Sequence, residues 1–135
     1  MQIIINDHRK IFAIQEVFNK MFPYLKIEFF AKPHKSGASS SQKIIKHSSK
    51  TLGECRTIHN KGTLTISPGM TVAELEQNFS DVYGLHVQVF RKSGKSWLET
   101  SITDGWTLQE QNKQGEELSL PFDKKKDFEK NEAAE

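Results

Sequence analysis

A single cysteine, Cys55, stands among 135 residues, so no disulfide can close within the chain. That scarcity leads us to expect a reducing compartment, the cytoplasm. Long apolar runs are also missing. The longest span a few residues, far short of the ~20 needed to cross a bilayer, so no membrane partner is expected. The opening MQIIINDHRK has no extended apolar core and no small-residue cleavage site, and a secretory leader is not expected. Glycines do not cluster: Gly62, Gly69 and Gly84 stand apart and read as turns or caps, so no phosphate-cradling loop is present. No pair of carboxylates falls in an apolar cleft, since Glu74 and Glu76 lie on the exposed side of their helix. No cofactor is expected.

What the chain does have is a pattern written twice. Ile11, Ile14, Phe18 and Phe22 precede Val72, Leu75, Phe79 and Tyr83 by 61 positions. Leu25, Ile27, Phe29 and Phe30 precede Leu85, Val87, Val89 and Phe90 by 60. Thr51-Leu52-Gly53-Glu54 pairs with Thr107-Leu108-Gln109-Glu110, and Gly62 with Gly115. Self-similarity at one period implies repeated supersecondary units.

Within each copy the periodicity changes from helix to strand. Ile11, Ile14, Phe18 and Met21 recur at helical spacing, with Asp7 as an N-cap and Pro23 as a stop. Leu25 to Phe30 then alternates as a half-buried strand. Thr71 with Glu74 three residues on is a capping box, Gly84 a C-cap, and Leu85 to Val89 a strand. Gln2–Ile5 and Thr63–Ile66 are strands ahead of the two helices. Ser93-Gly94-Lys95 is a hairpin turn leading to a return strand, Trp97 to Ile102. Lys43–His47 reads as a return strand in the first copy, Thr51–Thr57 as one or two helical turns, Thr107–Gln111 as a short helix and Glu117–Leu120 as a last strand. The expected organisation is a first repeat over 1–62 with a basic, Ser-rich loop at 32–50, a second repeat over 63–120, and a charged, disordered tail over 121–135. A unit of about 55 residues is marginal alone, so the two copies should share one core. The fold class is α+β: two tandem βαββ-like repeats.

The net charge of +2 conceals a split. Residues 1–64 hold 11 Lys and Arg against 4 Asp and Glu, and residues 65–135 hold 8 against 13. The basic stretch 32–56 offers Lys32, Lys35, Lys43, Lys46, Lys50 and Arg56 as phosphate contacts, with interleaved serines that also hydrogen-bond phosphate. No aromatic residue lies between Ala31 and Lys61, so no base-stacking platform accompanies it. Cys55 with His47 or His59 is the one Cys/His arrangement, and it has no neighbouring Asp or Asn to orient a base. The same residues with His34 match no common zinc spacing, so no metal site is expected. Trp106, after the Asp104-Gly105 turn, reads as an exposed anchor. Trp97 reads either as an anchor or as packed beneath the helix. His86 and Gln88, on the polar side of their strand with Lys26 and Glu28, complete the candidate interface.

Residues 63–120 resemble a ubiquitin-like β-grasp domain. Thr63-Leu64-Thr65-Ile66-Ser67-Pro68 leads into Thr71-Val72-Ala73-Glu74-Leu75, a strand, a turn and a Thr-opened helix. Asp104-Gly105-Trp106-Thr107-Leu108, then Asn112 and Glu116-Glu117-Leu118, is similar to the turn and short helix before the last ubiquitin strand. The resemblance implies a β-grasp in the second repeat. The chain lacks the terminal Gly-Gly of covalent modifiers, so conjugation is not implied. One strand, not a hairpin, precedes the helix at Thr71, so the missing strand comes from the first copy or the arrangement is a different βαββ. The function these readings favour is a non-catalytic module that binds a protein partner. A nucleic-acid-binding accessory protein is the alternative, and a Cys/His enzyme ranks third.

Overall fold

The computed structural model describes residues 1–31, 44–45 and 48–133, with side chains through residue 120. Among them are three α-helices and two small antiparallel sheets, a mixed α+β architecture. Strand β1 (Gln2–Ile5) pairs with β3 (Gly62–Thr65), turning Ile3, Ile5 and Leu64 inward and Ile4 outward. Strands β2 (Leu25–Phe30), β4 (His86–Ser93) and β5 (Ser96–Glu99) form the second sheet in the order β2-β4-β5. The two halves interlock, because β1 pairs with β3 and β2 with β4 across the middle of the chain.

Helices α1 (Ile11–Met21) and α2 (Val72–Tyr83) supply the apolar stripes that the spacing requires. Ile11, Ile14, Phe18, Val72, Leu75 and Phe79 are all fully buried. They join Leu25, Ile27, Phe29, Val87 and Val89 in one hydrophobic cluster drawn from both halves. Phe29 of β2 meets Phe79 of α2 edge to face, with ring centroids 6.1 Å apart. At the start of α2, Thr71 Oγ1 accepts from the Glu74 amide at 3.1 Å, as the capping box requires. Gly84 closes α2 at φ 61°, where a side chain would be strained.

Asp7 does not cap α1. The Asn6 side chain takes the His8 and Arg9 amides instead, and Lys10 precedes the helix with no side-chain cap. The orphan amides of Ile11 and Phe12 are met by the Lys50 and Ser48 carbonyls, each at 3.0 Å.

This pattern is made again 61 and 56 positions on. Val72 and Ala73 donate to the Trp106 and Asp104 carbonyls at 3.1 and 2.8 Å. Leu52 donates to Arg9 as Leu108 does to Met70, and Gly53 to Asp7 as Gln109 does to Pro68. Ile45 donates to Phe29 as Thr100 does to Val89, so the Phe30–Ile44 bridge stands where the second half has its β4–β5 hairpin. Both cross-chain pairings are centred on equivalent residues: Ile3 faces Leu64 and Glu28 faces Gln88.

The chain departs most from expectation after Thr107. The short helix, the strand at 117–120 and the unstructured tail are replaced by one helix, α3 (Leu108–Ala133), which runs past Pro121. Its inward stripe is Leu108, Gln111, Gly115 and Ser119. These are spaced for a helix but are mostly small or polar, so apolar periodicity could not reveal them. At Gly115 a Cβ would come within 2.9 Å of Tyr24 Cβ and 3.1 Å of Arg91 Cγ, so the helix packs closer than any larger residue permits.

Candidate interaction surface and junction

Trp106 is 39% exposed, and its ring packs over the Arg91 guanidinium at 5.7 Å. Its backbone is fixed on both sides: the amide donates to Thr103 at 2.9 Å, and the carbonyl accepts from Val72 at the start of α2. The Gln111 amide braces the same turn by donating to the Thr103 carbonyl and hydroxyl, both at 2.8 Å. Its oxygen takes Arg91 Nη1 at 3.0 Å. Leu98, 44% exposed, is the register partner of Arg91, so Leu98 and Trp106 both neighbour one arginine. Ile102, in the same turn, is 92% exposed.

β5 is the terminal strand of its sheet. The Thr100 amide bonds back to Val89, and antiparallel alternation then turns Leu98 toward β4 and the Trp97 backbone toward the outer edge. The Trp97 ring is half-buried with Lys26 Nζ 5.0 Å from its centroid. The edge therefore carries an indole toward each face of the sheet. Arg91, Leu98 and Ile102 were not singled out from the sequence. The signal for Leu98 was present, since a two-residue Gly94-Lys95 turn sets Leu98 opposite Arg91.

The other named residues do not join this surface. Gln88 is fully buried, with its amide on the Val89 carbonyl at 3.0 Å, and is not on an exposed face. Strand alternation placed it on the side of Lys26, Glu28 and His86, opposite Val87 and Val89, but that side is not exposed at Gln88. His86 is half-buried and lines a separate cavity. Arg56 is not free to meet phosphate. Its residue exposure is 7%, Nε and Nη2 donate to Asp7 Oδ1 at 3.1 and 2.9 Å, and Nη1 donates to the Tyr83 carbonyl at 2.9 Å. Lys50 is exposed. Lys32, Lys35, Lys43 and Lys46 lie outside the described residues.

Arg56 belongs to a clasp between the halves. His59 Nδ1 meets Asp7 Oδ2 at 2.8 Å, and Asn60 caps the α2 C-terminus by donating to the Val82 carbonyl at 2.8 Å. The hydrogen bond from His59, then that from Arg56, holds the Asp7 carboxyl below its ordinary pKa. Burial pushes the Cys55 thiol up, with Lys50 opposing and Glu54 adding to the shift, so Cys55 is a protonated thiol at neutral pH rather than an activated nucleophile. Among the described residues no three of His, Cys, Asp and Glu converge as metal ligands. No helix there is long and apolar enough to cross a membrane. Compared with protein-family models, curated proteins and solved structures, the chain matches none.

Proposed function

We propose that this chain is a small, non-catalytic protein-interaction module of the cytoplasm that docks a protein partner along the outer edge of β5 and the Trp106 turn. The observation that carries this reading is Trp106: an exposed indole whose backbone is pinned to α2 and whose ring rests on Arg91. A preorganised aromatic gives up little freedom on binding, which is why such residues anchor interfaces. Leu98 and Ile102 extend the apolar contact, and the outward-facing backbone of Trp97 provides for strand addition.

Behind this surface we read two βαββ-like copies of one unit around a shared core. The backbone hydrogen bonds that recur at constant offsets support that reading. A β-grasp in the second copy is supported by the Thr-opened helix after β3 and the β4–β5 hairpin, with β1 of the first half lying beside β3 as the additional strand.

The test is comparative capture from nuclease-treated host extract on immobilised wild type, Leu98→Asp and Trp106→Ala. The reading expects a protein held by wild type and lost from both variants, each with a native circular dichroism spectrum. Equal capture by folded variants refutes the surface. Nucleic acid recovered only when nuclease is omitted favours the basic stretch instead.

A further inference from the structure

Away from β5, a cavity of about 350 Å³ opens at the junction of the halves, walled by Ala31 and Ile45, by Lys50 and the segment from Glu54 to Thr57, and by Gly84 and His86. The recurring hydrogen bonds define what occupies the equivalent place in the other half. Ala31 corresponds to Arg91, Lys50 to Trp106 and Cys55 to Gln111. There the space is filled from within: Arg91 extends to Gln111 Oε1 at 3.0 Å, stacks on Trp106 and packs against Gly115. In the first half, alanine cannot fill it.

We infer that this cavity binds a small zwitterion of the amino-acid class. The argument is one of size and charge. The volume lies at the lower end for small-molecule sites, roughly 300–1,000 Å³, and suits a compact metabolite. The Arg56 charge on its wall is matched by Asp7. Among the described residues that leaves Lys50 and Glu54 as the charges on its wall, both exposed and neither in an ion pair there. One ammonium and one carboxylate at the same mouth complement a ligand carrying one of each. A simple anion would be repelled by Glu54 and a simple amine by Lys50. Ala31, Ile45 and the Cys55 thiol give the ligand side chain an apolar wall.

Titration of the ¹⁵N-labelled full chain with individual amino acids, each alongside its deaminated acid and its decarboxylated amine, tests this directly. The expected result is saturable shifts of the Cys55, Thr57, Gly84 and His86 amides with an amino acid, at least about ten-fold weaker for either one-charge analogue. Ala31→Arg, which transplants the plug of the other half, abolishes them, whereas Trp106→Ala leaves them unchanged. Should Ala31→Arg fail to fold, the exposed substitutions Lys50→Ala and Glu54→Gln each weaken binding by about ten-fold or more. The inference is overturned by the absence of saturable shifts for every amino acid. It is equally overturned by equal binding of a one-charge analogue, or by unchanged binding in folded Ala31→Arg, Lys50→Ala or Glu54→Gln.

Discussion

Phe79→Ala reports on whether the two halves share one core. Phe79 is fully buried on α2, and its ring meets Phe29 of β2, across the middle of the chain. Truncating a buried phenylalanine costs about 3–5 kcal/mol through lost burial and the cavity left behind. Part of that is the edge-to-face pair, about 0.5–1.5 kcal/mol. Against a total stability of about 5–15 kcal/mol the variant still folds, with a melting temperature lower by roughly 10–20 °C. Phe18→Ala removes the equivalent buried ring 61 positions earlier and should cost a similar amount. The assay follows urea unfolding by tryptophan fluorescence, since Trp97 and Trp106 both lie in the second half, and by amide exchange of α1 in the first. Each variant should lower both midpoints together. If Phe79→Ala moves the tryptophan transition and leaves α1 where it was, the halves unfold separately and the interlocked core is refuted.

Gly115→Ala sets helix propensity against packing. Alanine gains about 1 kcal/mol in an α-helix, but its Cβ meets Tyr24 and Arg91 at 2.9 and 3.1 Å, and overpacking costs about 1–3 kcal/mol. A net loss of up to about 2 kcal/mol in chemical denaturation is expected, and a gain in stability contradicts the close approach of α3. Asp7 predicts an acid-sensitive clasp: its folded pKa is lowered by His59 and Arg56, so its contribution is complete above the ordinary carboxylate range and is lost as pH falls through the lowered value. Asp7→Asn should reduce the urea midpoint at neutral pH and flatten its fall on acidification, and an unchanged acid limb contradicts the pairing.

Helices α1 and α2 and their following strands were legible because their apolar residues keep strict spacing, the β4–β5 hairpin from its Gly94 turn, and Thr71 and Gly84 mark the ends of α2 with the expected chemistry. Trp106 was legible from the Asp-Gly turn before it, and it is exposed there. Helix α3 was hidden because Gln111, Gly115 and Ser119 fill its inward face with polar or small groups, Gln111 being satisfied by Arg91 and Thr103. Gln88 was misplaced because alternation tells which side of a strand a residue occupies, not what later covers that side. Arg56 was read as a free cation because its partners, Asp7 and the Tyr83 carbonyl, lie 49 and 27 positions away. Local sequence carries no trace of such pairing.

Hydrogen exchange of the module with and without its captured partner, mapped residue by residue, tests the central claim most directly. The account predicts new protection of the outward-facing Trp97 amide and of residues 98–106, with little change on the exposed face of α1 around Phe12. Protection centred on α1 or on the outer face of β1 and β3, with the Trp97 amide exchanging as before, contradicts it.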